Sequence, residues 1–253
     1  MKELSHPEDA AGQWKSLRSF TDARIALGRT GNSVPLKESL HFKLAHAHAR
    51  DAVYSTLSLS ELTKSLTKFN LPITPLQSQI NSRQEYLQRP DLGKRLNKSS
   101  ADQLTSLSSP ASDVAIILTD GLSAKAIHDH AFHLLDLLIP QLQSSKLQLA
   151  PLTIVEQGRV AIGDEVGFLL QAKLSLILIG ERPGLSSPNS LGAYITYHPA
   201  IGLTDESRNC VSNIRPEGLS YSVASQKIFY LISESLRRKV AGVHLKDESG
   251  LIS

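Results

Sequence analysis

Asp113-Val114-Ala115-Ile116-Ile117-Leu118-Thr119-Asp120-Gly121 decides the fold. Val114–Leu118 is a continuous apolar run too short to span a bilayer and bounded by polar and turn-forming residues, which reads as a strand buried on both faces. A helix is expected next, from about Ser123 to Leu138, with Pro140 ending it. The pattern then repeats. Leu152–Val155 is a second apolar stretch and leads into Gln157-Gly158-Arg159-Val160. A helix over Asp164–Ala172 follows, and then a third buried run, Leu174–Ile179, closed by Gly180-Glu181-Arg182-Pro183-Gly184. Tyr194–Tyr197 alternates like a strand near an edge, and a long helix is expected over Ser220–Lys239. Short buried strands alternating with helices predict an α/β fold, a parallel sheet flanked by helices on both faces.

The chain upstream of Asp113 reads as helical. Asn32 or Ser33 can cap a helix, Pro35 suits its first turn, and Leu36, Leu40, Leu44 and Ala47 share a face to about Leu57. A shorter helix is expected near Glu61–Phe69, and a third from Thr74 and Pro75 to Tyr86 or Leu87. Asp91–Leu96 is expected to be a turn or short helix, and 97–112 a Ser-rich linker. The expected organisation is a flexible segment over 1–20, a helical region over 21–112, and an α/β unit over 113–253.

Composition narrows the function classes. Of 253 residues, 41% are hydrophobic and 20% charged, as in ordinary globular proteins. A net charge of +3 without a dense Lys/Arg tract does not argue for nucleic acid. The single cysteine, Cys210, rules out an intrachain disulfide and a thiolate zinc cluster, and a reducing cytosol is the simpler setting. The polar stretch from Met1 to Trp14 has no signal-peptide character.

In sheets of this kind ligands bind beyond the carboxyl ends of the strands. The loops to watch are therefore Asp120–Ser123, Gln157–Val160 and Glu181–Gly184, each with a glycine that lets backbone approach a ligand. Gly-x-Gly-x-x-Gly after a strand, a Walker loop, Gly-x-Ser-x-Gly and His-Glu-x-x-His are all missing, which argues against a dinucleotide enzyme of the usual type, a P-loop enzyme, a serine hydrolase and a zinc peptidase. Asp120 can cap the next helix or hydrogen-bond a ligand, and the residues do not decide between these. Glu181 can pair with Arg182 in a surface turn or accept hydrogen bonds from a polar ligand. His130 and His133 share a helix face, but no third metal ligand is placed for them, so partly solvated helix histidines are expected. Cys210 is either a small packing residue or, with a base nearby, a nucleophile.

Several stretches, taken in order, resemble the small subunit of ethanolamine ammonia-lyase from Thr21 onward. They are Ala23-Arg24-Ile25-Ala26-Leu27-Gly28-Arg29-Thr30-Gly31, Leu40-His41-Phe42 with His46-Ala47-His48-Ala49-Arg50-Asp51-Ala52-Val53, and Tyr86-Leu87-Gln88-Arg89-Pro90-Asp91-Leu92-Gly93-Lys94-Arg95-Leu96. Further on come Asp120-Gly121-Leu122-Ser123, Gly158-Arg159-Val160, Gly180-Glu181-Arg182-Pro183-Gly184 and Cys210-Val211-Ser212-Asn213-Ile214.

The resemblance implies a helical N-terminal part and a Rossmann-like C-terminal part in an adenosylcobalamin-dependent lyase. That enzyme converts ethanolamine to acetaldehyde and ammonia, and its barrel-shaped large subunit holds the substrate. The small subunit would carry no catalytic residue. Its cobalamin contacts map onto Val160, Glu181 and Cys210, with the cofactor between the subunits in a cytoplasmic hetero-oligomer. The Asp-x-His-x-x-Gly motif, whose histidine replaces the cofactor's own base on cobalt in many mutases, is missing, so a base-on cofactor is expected. Family members often carry a longer N-terminal extension linked to packaging in a bacterial microcompartment; here about 20 residues precede the first matching stretch. Arg24, Arg29 and Arg95 are candidates to pair across the subunit interface. The rival reading is a non-catalytic scaffold without direct cofactor contact. A second rival is a hydrolase using Asp120 with His128 or Cys210.

Overall fold

The computed structural model describes residues 16–21, 23–107 and 111–248. Residues 1–15 of the expected N-terminal segment, and 108–110 of the expected linker, lie outside the described residues. The described elements are α1 (Leu36–Tyr54), α2 (Leu59–Leu66), β1 (Ile73–Gln77), α3 (Arg83–Gln88), α4 (Lys98–Ser106) and β2 (Ser112–Thr119). They continue with α5 (Phe132–Ser144), β3 (Leu152–Glu156), α6 (Ile162–Leu169), β4 (Ala172–Gly180), β5 (Leu191–Tyr197), β6 (Arg208–Ile214) and α7 (Tyr221–Arg238).

The strands form one six-stranded sheet in the order β1-β3-β2-β4-β5-β6. The first four run parallel, whereas β5 pairs antiparallel with β4 and β6 antiparallel with β5. The parallel sheet expected from sequence thus forms from β1 to β4 and gains two antiparallel strands. A ten-residue loop cannot carry a crossover helix, so the chain turns back as a hairpin after β4.

The apolar runs alternate with the pleat. Val114, Ile116 and Leu118 of β2, with Leu174, Leu176 and Leu178 of β4, face a core built with α2, α5 and α7. Ala115, Ile117 and Ile177 face a second core with α4 and α6. Two-sided burial is why these strands read as unbroken apolar runs. The connection from β2 to β3 passes over one face through α5, and that from β3 to β4 over the other through α6. The chain therefore changes direction between β2 and β4, the crevice where such sheets take ligands.

Four local expectations are corrected. The predicted helix start at Thr74 and Pro75 is strand β1, paired with β3 from Ile73 to Gln77. Prolines are tolerated there because β1 is an edge strand. The predicted Ser-rich linker contains α4, capped by Asn97, whose side chain accepts from the Ser100 amide, and anchored by buried Leu104. Pro140 does not end its helix but sits inside α5, flanked by buried Leu138, Ile139 and Leu142. That packing offsets the lost hydrogen bond. Finally, β5 lies near an edge as expected, but the edge itself is β6, where the sequence reading had no strand.

Candidate functional site at the strand ends

Two glycines close the crevice between β2 and β4. Gly121 has φ +55°, and a Cβ there would lie 2.3 Å from the Gly180 carbonyl oxygen. That oxygen accepts from the Leu122 amide at 2.9 Å, joining the two strand ends. The next helix is capped by Ser123, whose hydroxyl accepts from the Ala126 amide. Asp120 therefore does not cap it.

Asp120 is buried and lies 3.7 Å from the Arg83 guanidinium. Burial pushes its carboxyl up to about 6, against the pull of Arg83 and a hydrogen bond from Gln157. Burial in turn lowers the Arg83 pKa. Arg83 also donates to the Val53 carbonyl at 2.6 Å and the Gly121 carbonyl at 2.8 Å, so it ties the end of α1 to the turn after β2.

The turn after β3 is held just as firmly. The Gly158 amide donates to the Thr119 hydroxyl at 3.0 Å, and the Tyr86 hydroxyl donates to the Gly158 carbonyl at 3.1 Å. Two guanidiniums lie over the Tyr86 ring, Arg83 at 4.6 Å and Arg159 at 3.9 Å from its centroid. Burial raises the Tyr86 phenol above its ordinary range, so it stays a neutral donor.

These loops bring two of the three expected contacts together. Val160 and Glu181 line one cleft of about 440 Å³, with Tyr86, Leu122, Arg159 and Tyr194 among its other walls. Glu181 Oε2 accepts from the Asn213 amide at 3.1 Å. The carboxylate is thus fixed from the β6 side and forms no ion pair with Arg182 among the described residues.

Cys210 does not line that cleft but neighbours one of its lining residues, Tyr194. It is exposed, pairs with Tyr194 across the β5–β6 ladder, and shares a side-chain hydrogen bond with it. Although the residue as a whole is exposed, desolvation of its sulfur by the surrounding atoms raises the thiol pKa, with the Tyr194 bond opposing and Glu181 adding to the rise. The thiol is therefore a poor nucleophile at neutral pH.

A second cleft of about 730 Å³ opens beside the first and shares Arg159 and Val160 with it. Its floor carries Arg208, buried with Asp164 in an ion pair across β6 and α6. Arg95 grips Glu165 with two hydrogen bonds of 3.0 and 3.1 Å. Arg95, a candidate from sequence for pairing across the subunit interface, thus has an ion-pair partner within the chain.

The hydrolase alternative loses its parts. Asp120 is engaged by Arg83, the Nε2 of His128 accepts from the Ser58 amide at 3.0 Å, and Cys210 bonds Tyr194. His130 is not a partly solvated helix residue. It is buried in a π-helical turn, Ile127–Ala131, 2.8 Å from the Tyr221 hydroxyl, and burial lowers its pKa. Among the described residues no group of three or more His, Cys, Asp or Glu could hold a metal ion, and no helix is long and apolar enough to cross a membrane.

Sequence reasoning missed Tyr86, Arg83, Arg159 and Tyr194 as site-builders. The available signal was Arg83 and Tyr86 at helical i, i+3 spacing in a chain with only 5% aromatic residues.

Fold and site together define an α/β protein with a bipartite, open-sided cleft at the switch point of its sheet. The family model described as "Ethanolamine ammonia-lyase light chain" matches residues 11–246. Three relatives, each described as "Ethanolamine ammonia-lyase small subunit", are similar over nearly the whole chain. One from Pseudomonas fluorescens is 50% identical over 247 residues, 96% of this chain and 90% of the relative. One from Azotobacter vinelandii is 51% identical over 239 residues, covering 93% and 88%. One from Xanthomonas campestris pv. campestris is 51% identical over 246 residues, covering 96% and 89%. The chain belongs to the ethanolamine ammonia-lyase light-chain family.

Proposed function

We propose that this chain is the small subunit of a two-subunit ethanolamine ammonia-lyase, and that its strand-end cleft is half of a cradle for adenosylcobalamin. A larger, barrel-shaped subunit would close the other half and hold ethanolamine, so this chain alone would be inactive. We further read residues 21–112 as a helix-rich region that braces the cradle, and residues 113–253 as its Rossmann-like cobalamin-binding unit.

The observation that carries this reading is the convergence of Val160 and Glu181, from two separate loops, on one cleft. The donor set suits a corrin, a broad ring fringed with amides. Glu181 offers a fixed carboxylate acceptor, Val160 an apolar contact, and Tyr194, hydrogen-bonded to Cys210 beside the cleft, an aromatic wall. When bound, the cofactor supplies the radical chemistry that the family's reaction needs. The residues here orient it, shield it from water and fix the charge around it. The chain has no Asp-x-His-x-x-Gly motif to offer an imidazole to cobalt, so its residues would hold the cofactor without ligating the metal, as a base-on cofactor would require.

The test is equilibrium binding of adenosylcobalamin to the complex assembled with the large subunit. Changing Glu181→Ala together with Val160→Ala is expected to weaken binding about 10- to 100-fold, the value of one charged hydrogen bond plus an apolar contact. Unchanged affinity would favour a scaffold role without cofactor contact.

A further inference from the structure

The two clefts meet at Arg159. Among the described residues this guanidinium makes no ion pair. One terminal nitrogen donates to the Tyr86 carbonyl at 2.8 Å, and its Nε is buried without an acceptor. Of the nearby carboxylates, Glu181 on the smaller cleft accepts from the Asn213 amide and forms no ion pair among the described residues, and four others are paired elsewhere. Asp120 faces Arg83, Glu165 is held by Arg95, Asp205 by Arg208, and Asp91 by Arg89. Lys94, on the wall of the larger cleft, adds a further positive charge.

Arg159 is also held rigidly. Its amide donates to the Gly93 carbonyl at 2.7 Å, and its guanidinium stacks 3.9 Å from the Tyr86 centroid. Gly93 permits this, since a Cβ there would sit 2.8 Å from Arg159 Cγ and 3.1 Å from the Gln157 carbonyl oxygen. A planar, pre-aimed guanidinium with an uncommitted charge is suited to a phosphate ester, which its fork of donors matches in geometry.

We propose that Arg159 is the seat of an anionic phosphate ester at the junction of the two clefts, and that the ester is the phosphodiester in the nucleotide tail of cobalamin. This rests on the cobalamin reading above. On that reading the corrin takes the smaller cleft, beside Val160 and Glu181. The tail takes the larger one, and Arg159 fixes the point where the one passes into the other.

The test compares ligands that differ only in this group. Cobinamide, which has the corrin but no nucleotide tail, and cobinamide phosphate are titrated into the assembled two-subunit complex and followed by their visible spectra. The wild-type complex is expected to prefer the phosphate ester by about tenfold or more, and high salt should shrink that preference. Arg159→Gln should weaken cobinamide phosphate by about tenfold more than it weakens cobinamide, and so abolish the preference, and Arg159→Lys should keep part of it. Equal weakening of both ligands would show that Arg159 only supports the loop and would overturn the proposal. No wild-type preference would overturn it as well, even if no variant assembles. If the wild-type complex binds neither corrinoid nor cobalamin, the cobalamin reading itself fails, and this result is distinct from the other two.

Discussion

Gly180→Ala is expected to destabilise the chain by about 3 kcal/mol or more and to lower its melting temperature by roughly 6–12 °C. A Cβ at this position would lie 2.0 Å from the Ser123 carbonyl oxygen, 2.6 Å from that of Asp120 and 2.7 Å from the Ser123 carbonyl carbon. All three are backbone atoms in the turn after β2, so no side chain can swing aside. Relief requires parting the ends of β2 and β4, which breaks the hydrogen bond from Leu122 to Gly180. The same movement would open the crevice on which Glu181 stands, so under the proposed function cobalamin binding by the assembled complex should fall along with stability. Thermal unfolding of the variant reads the first effect. A melting temperature within 1 or 2 °C (roughly the size of a neutral change) would mean that the turn reshapes freely.

The second large effect is expected at the ion pair between Arg208 and Asp164. Both side chains are 2% exposed, and Thr196 adds a hydrogen bond to the carboxylate. Arg208→Met leaves that carboxylate buried without its counter-ion, which costs about 3–5 kcal/mol. Arg208→Met with Asp164→Leu should recover most of the loss, because an apolar pair of similar size carries no buried charge. The penalty should depend on pH. Burial already raises the Asp164 pKa, and Arg208 is the main influence opposing it. Without the arginine the native carboxyl rises further above its unfolded value. The native state then binds more protons than the unfolded state in that window, so stability falls as pH rises through it. Denaturant unfolding of Arg208→Met at acidic and neutral pH should therefore show the larger deficit at neutral pH. A deficit that is the same at both would contradict a buried unpaired carboxylate.

The central strands were legible because two-sided burial leaves an unmistakable mark. Val114–Leu118 and Leu174–Ile179 are unbroken apolar runs, and their alternation between the two cores shows why. The edges were not legible. β1 carries Pro75, which suggests a helix start or a turn, and only pairing with β3 makes a strand of it. β6 buries Arg208, Val211 and Ile214 among polar neighbours, a spacing that follows neither strand nor helix period. Its place is fixed by long-range contacts, Arg208 reaching Asp164 and Asn209 donating to the Gly242 and Leu245 carbonyls. The loops of the candidate site could be picked out from their glycines and their positions after the strands. The clip formed by Tyr86 could not, because it joins Arg83 and Arg159, residues 76 positions apart in the chain.

The account depends on the cofactor lying across the ends of β2, β3 and β4, with this chain forming one wall and the large subunit the other. The most direct measurement is an experimental structure of the assembled two-subunit enzyme with adenosylcobalamin bound. The account predicts the corrin edge in contact with Val160 and Glu181, Cys210 at its side, and dimethylbenzimidazole on cobalt. A corrin enclosed entirely by the large subunit, away from these three residues, would contradict it.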